Sequence, residues 1–252
     1  MAATASAPTV DAALRILSFL GTQRGPVAAV TLARALGLPR SSVYRLLSVL
    51  QERGFVLHYP DSRRYGLGIA SFELGSGYTR QEPITRAGHP VLAALVDRVG
   101  ESGQLAALYG RDVVYLADER APGRPVLVTD VGVRLPSWLT ASGRALLAAL
   151  PREQVRALFP HASAFGASGP PYSYSRLRAE LVTTRARGHA VENGEITEGL
   201  ASVAVAVRDR TGWPVAGLAV TFPAGQADAS QRGDLVAEVQ RHAELLRQRL
   251  YG

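Results

Sequence analysis

The sequence contains no cysteine and no lysine. Without cysteine there can be no disulfide, no catalytic thiolate and no cysteine-based metal site. All 28 basic residues are arginine, which we interpret mainly as a bias in genome composition, so that the position of an arginine is more informative than its presence. No apolar run approaches membrane-spanning length, and residues 1–8 have neither a basic nor an apolar leader segment. We therefore expect a cytoplasmic protein with no membrane association.

Common catalytic signatures are also missing. The chain has no Gly-x-Ser-x-Gly elbow, no Walker loop, no Gly-x-Gly-x-x-Gly turn and no His-Glu-x-x-His helix. The five histidines show no metal-ligand spacing, and a lone pair such as His189 and Glu192 is more often structural than catalytic. We therefore expect that the protein is not an enzyme and that it has no catalytic residue, metal site or cofactor.

The charge is unevenly distributed along the chain. Residues 1–68 contain eight arginines and three acidic residues, a net charge of +5, whereas residues 69–252 contain 20 arginines and 18 acidic residues, a net charge of +2. The 252 residues, 47% of them hydrophobic, suffice for one large or two moderate domains. A basic quarter joined to a nearly neutral remainder indicates a polyanion-binding module followed by a different one.

The basic quarter has the element order of a winged helix-turn-helix. Apolar spacing predicts helices over Val10–Leu20, over Leu32–Leu36 with Thr31 as its N-cap, and from about Pro39 to Gly54. Two β-prone runs then flank Pro60-Asp61-Ser62, which predicts a hairpin. This ordered set, with its local excess of arginine, favours DNA binding.

The third helix is amphipathic in a way that suits DNA. Its apolar stripe consists of Val43, Leu46, Leu47 and Leu50. On the opposite face, Ser41, Tyr44, Arg45 and Ser48 bring hydroxyls and arginine but no acid, as expected for a helix in the major groove. Ser41, Ser42, Tyr44 and Arg45 are the predicted major-groove contacts, Arg40, Arg63 and Arg64 the predicted phosphate or minor-groove contacts, and Thr31 a further predicted DNA contact.

The remainder alternates helical and strand-like runs, which predicts an α+β fold with a mostly antiparallel sheet. Strand-like runs occur at Leu105–Leu108, Val113–Ala117, Val126–Val131, Ser202–Val207 and Val215–Phe222, and helical runs include Pro83–Val99, Gly143–Leu150 and Ala227–Leu250. We divide the chain into a disordered N-terminus (1–8), a winged helix-turn-helix domain (9–68), a linker helix (69–82) and a second domain (83–252).

Two strands of the second domain have small side chains on one face. Ser202, Ala204 and Ala206 alternate with valines, and the later run contributes Gly217, Ala219 and Thr221. The small face leaves room for a ligand or for a closely packed helix, and the pattern alone favours neither.

A helix start and two acids are further candidates for a binding site. Thr140-Ala-Ser-Gly143 opens a helix whose free N–H groups favour an anion, although Thr140 or Ser142 could serve as a simple N-cap. Glu192 and Glu195 precede the small-faced strand and could accept hydrogen bonds from a ligand hydroxyl, or they could be solvated loop acids.

Several short motifs, in this order and spacing, resemble the IclR family of bacterial transcriptional regulators from about Val10 to Leu250. The motifs are Leu38-Pro-Arg-Ser-Ser-Val-Tyr-Arg-Leu46, Arg64-Tyr-Gly-Leu67, Gly132-Val-Arg-Leu-Pro136, Thr140-Ala-Ser-Gly-Arg-Ala-Leu-Leu-Ala148, Arg185–Gly188, Glu195 with Gly199, and Ser202-Val-Ala-Val205.

The resemblance implies a DNA-binding winged helix and a C-terminal GAF/PAS-like domain for effector binding and oligomerisation. It also implies homodimers or tetramers on palindromic operators, and effectors that are small metabolites, frequently organic acids. By alignment, the pocket includes Ala141, Ser142, Gly143, Glu192 or Asn193, Ser202, Ala206, Ala219 and Thr221, with Leu135 and Trp138 as possible walls.

The chain departs from the family pattern at two pocket positions. The family often has proline in place of Ala206, and members that bind small keto acids have more polar side chains in place of Ala206 and Ala219. A less polar pocket close to Trp138 favours a larger or more aromatic effector.

The resulting interpretation is a transcriptional regulator, a repressor in preference to an activator, whose operator binding is modulated by a small metabolite that contains a carboxylate. One alternative is a constitutive DNA-binding regulator whose second domain only oligomerises. The other alternative, an enzyme fused to a helix-turn-helix, is disfavoured by the missing catalytic signatures.

Overall fold

The computed structural model describes residues 7–81, 83–165, 172–225 and 229–252, so residues 1–6 of the N-terminus predicted to be disordered lie outside the described ranges. The chain divides between Gln81 and Glu82 into two compact units. Within the described ranges, no helix has the length and apolar character needed to cross a membrane.

The first unit is a helical bundle followed by a small sheet. Its elements are α1 (Pro8–Gly21), β1 (Val27–Ala28), α2 (Ala29–Leu36), α3 (Arg40–Glu52), β2 (Val56–Tyr59), β3 (Arg64–Leu67) and α4 (Ile69–Gln81). The strands form an antiparallel sheet in the order β1-β3-β2. The predicted winged helix-turn-helix is therefore confirmed, and the two-residue strand β1, which is too short to leave a pattern in the sequence, completes the sheet.

The apolar stripe of α3 lies in the core of this unit. Val43 and Leu47 are buried against Ile16 of α1 and Leu32 of α2. The predicted N-cap of α2 was wrong, because the helix begins at Ala29, directly after the β1 pairing, and Thr31 is an exposed residue within it. Local propensity favoured threonine as a cap, but the strand determines where the helix starts.

The second unit is an α+β domain built on one six-stranded sheet. Its elements are α5 (Pro83–Val99), β4 (Ser102–Tyr109), β5 (Asp112–Glu119), β6 (Arg134–Pro136), α6 (Ala141–Ala149), α7 (Arg152–Leu158), a 3₁₀ turn (Ala162–Phe165), α8 (Tyr174–Arg187), β7 (Ala190–Asn193), β8 (Leu200–Arg208), β9 (Pro214–Pro223) and α9 (Ala229–Tyr251). The strand order is β6-β5-β4-β9-β8-β7, and every neighbouring pair is antiparallel. The predicted fold class is confirmed.

The two faces of the sheet are covered by different kinds of residue. Leu92 and Leu95 of α5 and Leu246 of α9 pack with large apolar residues such as Val203 and Leu218 on one face. On the other face, alanines of α6 pack against alanines of β7, β8 and β9. The alternation in β8 therefore separates a bulky core from a close helix–sheet contact.

The run Val126–Val131 does not form the predicted strand. Gly132 and Val133 instead pair with Tyr115, and β6 takes the place beside β5, so that residues 126–131 have no strand partner. Val126 is 73% exposed and Val131 64% exposed, whereas Thr129 is buried and donates a hydrogen bond to Asp118 (3.1 Å). The valines of residues 126–131 have a high propensity for strands, but a strand also needs a neighbouring strand for its backbone hydrogen bonds.

Candidate functional site

The solvent side of α3 carries the residues predicted to contact DNA. Ser41, Tyr44 and Arg45 are exposed on it. The described residues of the first unit form one ion pair, between Arg15 and Asp11 (3.8 Å). Arg45 therefore has no carboxylate partner among these residues. This face can therefore offer hydroxyls and a free guanidinium to an anionic groove.

The hairpin between β2 and β3 carries two further predicted contacts. Arg63 lies at its tip with φ +52°, a left-handed conformation that costs a residue other than glycine about 1 kcal/mol. Arg64 donates a hydrogen bond to the Pro26 carbonyl (3.2 Å) and so ties the hairpin to the segment before β1. Arg63 and Arg64 are exposed, as are Thr31 and Arg40, whereas Ser42 is half-buried.

The second unit contains a cavity between the start of α6 and neighbouring ends of the central strands. About 30 Å³ of it is open to the centres of water molecules, within about 410 Å³ of space between atoms that includes open solvent. The residues that line it are Gln104, Tyr115, Leu127, Val128, Thr129, Thr140, Ala141, Ser142, Glu192, Ile196, Thr197, Leu200, Ser202, Ala219 and Thr221. None of these lining residues is basic.

Six residues predicted for the effector pocket line this cavity. They are Ala141, Ser142, Glu192, Ser202, Ala219 and Thr221. They meet because α6 begins at Ala141, two residues earlier than predicted, and because β8 and β9 pair Ser202 directly with Thr221.

The other five predicted pocket residues lie elsewhere. Trp138 packs edge-on against Phe159 and Phe165, with ring centres 5.6 and 5.5 Å away, and so belongs to an aromatic core. Leu135 packs in a separate apolar cluster beside β5, and Asn193 is exposed at the end of β7.

Gly143 and Ala206 serve close packing. A Cβ atom on Gly143 would lie 2.2 Å from the Ser137 carbonyl oxygen, so the glycine lets α6 approach that segment. Ala206 packs with the alanine cluster under α6. A Cβ atom on Gly217 would likewise lie 3.1 Å from Ser142. A closely packed helix therefore explains one end of the small strand face, and the cavity occupies the end with hydroxyls.

A chain of polar side chains runs along the cavity. The Thr221 hydroxyl donates to Gln104 Oε1 (3.0 Å), and Ser202 Oγ lies 2.9 Å from Thr221 Oγ1 and 3.2 Å from Glu192 Oε2. Two hydroxyls supply only two hydrogens for these three contacts. All three are satisfied in either of two ways. The Gln104 amide, whose Nε2 has no partner among the described residues, can turn to donate to Thr221, which donates to Ser202, which donates to an ionised Glu192; or a protonated Glu192 donates to Ser202, which donates to Thr221.

The surroundings of Glu192 favour that neutral form. Burial raises the pKa of Glu192, although hydrogen bonds, among them one from the Ile196 N–H (3.1 Å), act in the opposite direction. Burial also raises the pKa of Asp118, which pairs across the strands with Gln104. The cavity therefore combines hydroxyls with one carboxyl group, that of Glu192, which resists ionisation, while Asp118 contacts the lining residue Thr129 without lining the cavity itself.

Glu192→Gln should remove a pH-dependent loss of stability. The native pKa of Glu192 is raised, so its contribution is present below the unfolded-state pKa of about 4.5 and is lost as the pH rises through the native value. Glutamine keeps the donor and acceptor of the neutral acid. We expect the variant to gain in free energy of unfolding relative to wild type as the pH rises from 5 to 8, measured by urea denaturation. Parallel pH profiles for the two proteins would contradict this.

Sequence reasoning missed several residues of the site. Gln104 and Tyr115 come from β4 and β5, whose runs looked apolar, although a glutamine within a buried strand is a usable signal. Arg144 belongs to a sequence motif that predicts no role for it, yet it is 4% exposed and joins several segments beside the cavity.

These features define a class of protein. A winged helix-turn-helix whose third helix exposes hydroxyls and arginine, with Glu52 only at the last turn of the same face, has the architecture of a DNA-binding domain. Its attachment to a separate α+β domain with an internal cavity is typical of transcriptional regulators.

Comparison with known proteins identifies the family. The family model for the IclR helix-turn-helix domain matches residues 9–58, and the model described as bacterial transcriptional regulator IclR C-terminal matches residues 76–247. The chain belongs to the IclR family, whose members are transcriptional regulators and not enzymes.

Individual relatives extend over nearly the whole chain. The "Probable transcriptional regulator SauR" of Cupriavidus necator is 31% identical over 233 residues, which are 92% of each chain. The transcriptional repressor IclR of Escherichia coli is 27% identical over 227 residues, 88% of this chain and 82% of that one. The crystal structure of Thermotoga maritima IclR matches with a TM-score of 0.74 at 28% identity, covering 96% of this chain and 98% of that one.

Proposed function

We propose that this protein is a sequence-specific repressor whose operator binding is modulated by a small hydroxycarboxylic acid held in the cavity of the second unit. The observation that carries the proposal is the cavity itself, where a helix start and a chain of hydroxyls converge. The E. coli relative is named as a repressor, which supports the same direction of regulation here.

The start of α6 would hold the carboxylate. The first N–H groups of a helix have no partner within the helix, and Thr140 Oγ1 takes that of Gly143 (3.0 Å). The N–H groups of Ala141 and Ser142 are then left for an anion at the cavity wall. Since no lining residue is basic, this helix end supplies the positive potential, worth about 0.3–1 kcal/mol or more when partly buried.

The opposite wall favours a hydroxyl on the same ligand. Glu192, Ser202 and Thr221 can donate to or accept from a hydroxyl, whereas a second carboxylate would be repelled wherever Glu192 or Asp118 ionises. Leu127, Ile196 and Leu200 supply the apolar surface between these ends. Trp138 lies outside the cavity, so the aromatic effector suggested by its position in the sequence loses that support.

A homodimer on a palindromic operator is part of the proposal. Ile69, Phe72 and Leu74 of α4 are 68%, 71% and 67% exposed, and Val10 and Leu14 of α1 are each 57% exposed. Apolar side chains exposed in this density on two helices favour burial against a second copy. Association of these dimers into tetramers is compatible with the same chemistry.

To test effector control, an operator would first be isolated as the genomic fragment that the protein binds. Fluorescence anisotropy would compare its affinity with and without glyoxylate, pyruvate, benzoate and 4-hydroxybenzoate, and thermal shift would report binding. We expect the hydroxy acid to stabilise the protein and weaken operator binding most, because a ligand shifts the DNA-binding equilibrium only by its differential affinity. No stabilisation and no effect on DNA binding would favour the constitutive alternative.

Thr221→Val should weaken binding of the active acid about tenfold, the value of roughly one hydrogen bond in a buried site. Valine keeps the shape of threonine and removes the hydroxyl that contacts Gln104 and Ser202. Thr183→Val is the control, since it removes an exposed hydroxyl on α8 that donates to Ala179. Calorimetry that gives equal affinities for both variants would exclude the hydroxyl wall from the site.

A further inference from the structure

Arg144 lies beside the cavity without lining it. Its guanidinium donates to the carbonyl oxygens of Trp138 and Val191, both at 2.8 Å, and to Glu195 Oε1 at 2.9 Å. Glu180 Oε2 lies 3.0 Å from its Nε. One side chain of α6 therefore joins the segment before the helix, strand β7, the segment after β7 and helix α8.

The guanidinium is a charged and fully engaged group. Burial alone would lower the pKa of Arg144, but Glu195 and Glu180 hold it above its usual value. Burial likewise opposes ionisation of Glu195, and the hydrogen bond from the Asn193 N–H (2.7 Å) together with Arg144 holds its pKa below the usual range. Each of the two carboxylates compensates part of the cost of burying this cation, so loss of either pair should lower stability.

Glu195 belongs to residues 194–199, which we call the β7–β8 segment. Its end residues Gly194 and Gly199 both have φ of +80°, a conformation that favours glycine. Ile196 and Thr197 of this segment line the cavity. Glu195 stands between the glycines, and its carboxylate is the side-chain connection from the segment to α6.

We propose that Arg144 is a positioning residue for the effector site: through Glu195 it holds the β7–β8 segment against α6 as a wall of the cavity. The inference rests on the proposal that this cavity takes an effector. Arg144 would act on binding only through the segment, because its own side chain does not line the cavity.

Glu180 provides the matched control. Both carboxylates contact the same guanidinium, and their side chains are 27% and 28% exposed, but Glu180 is on α8 and Glu195 is on the cavity segment. Glutamine has one acceptor oxygen, so Glu195→Gln cannot keep both Arg144 and the Asn193 N–H. Glu180→Gln likewise cannot keep all of Arg144, Tyr172 and Arg176.

The test measures hydrogen exchange in the full-length free protein and the kinetics of 4-hydroxybenzoate binding. We expect Glu195→Gln to raise amide exchange within 194–199 about tenfold, and to weaken 4-hydroxybenzoate binding about tenfold through faster dissociation. Glu180→Gln should lower the melting temperature without either change.

Equal effects of the two variants on exchange and dissociation, or exchange at 194–199 that Glu195→Gln leaves unchanged, would overturn the positioning role. If wild type binds 4-hydroxybenzoate and Glu195→Gln binds it equally well, the inference fails and the proposed effector site stands. If wild type does not bind 4-hydroxybenzoate, the choice of acid fails, and the exchange data alone decide the role of Arg144.

Discussion

Gly143→Ala is expected to lower the free energy of unfolding of the second unit by roughly 3 kcal/mol. The added Cβ atom would lie 2.2 Å from the Ser137 carbonyl oxygen and 2.4 Å from its Cα atom. These are backbone atoms and cannot turn aside as a side chain could. Ser137 is also held in place, because its N–H and its hydroxyl both donate to the Arg111 carbonyl, at 3.0 and 2.6 Å.

Gly233→Ala supplies the control for this prediction. Gly233 is an exposed residue of α9, and a Cβ atom there would contact nothing within 4 Å. Alanine stabilises a helix by about 1 kcal/mol relative to glycine, so this variant should be more stable than wild type. Urea denaturation followed by tryptophan fluorescence would measure both variants, since both tryptophans, Trp138 and Trp213, lie in the second unit. A Gly143→Ala protein as stable as wild type would show that α6 can shift away from Ser137 at little cost.

Local pattern was sufficient to predict the three helices and the hairpin of the first unit, but not strand β1. The helices carry apolar residues at a period of 3.6, and the hairpin turn has Pro60-Asp61 at its start, so each element is specified by its own residues. The errors arose where tertiary contacts decide. The start of α2 is set by the pairing of β1 with β3, which a threonine at position 31 cannot signal.

The sequence pattern assigned residues to the correct face of the sheet, but it did not show which of them border the cavity. Alternation along β8 correctly put Ser202 and Ala206 on one face, yet α6 covers Ala206 and leaves Ser202 at the cavity. Trp138 precedes α6 in sequence, but its ring is in the aromatic core with Phe159. Such distinctions depend on which neighbour fills the space above a strand.

Arg144 shows a further limit of sequence reasoning. In a chain whose basic residues are all arginine, an arginine on a helix resembles an ordinary solvated residue. Its importance follows from carbonyl and carboxylate groups at Trp138, Glu180, Val191 and Glu195, which are brought together only by folding.

Arg45→Ala is expected to weaken operator binding about tenfold to a hundredfold and to relax sequence preference, since a bidentate arginine–base contact is worth about 1–3 kcal/mol of discrimination. Arg45 is exposed on the outer face of α3, one helical turn from Ser41 and beside Tyr44. Its side chain stands opposite the buried Val43 and Leu47, so truncation leaves the core intact. The fold of the variant should therefore be unchanged by circular dichroism.

Two other arginines separate recognition from general attraction. Arg63→Ala at the hairpin tip should weaken binding to operator and to unrelated duplex alike and lower the salt slope by about one unit, as for a phosphate contact. Arg53→Ala, directly after α3 and about 12 Å along the helix axis from Arg45, removes the same charge from the far end and should have a smaller effect. Titrations of operator and unrelated duplex at several salt concentrations measure all three variants. If Arg45→Ala lowers affinity for both duplexes equally, Arg45 contacts phosphate, and the base contacts must come from Ser41, Ser42 or Tyr44.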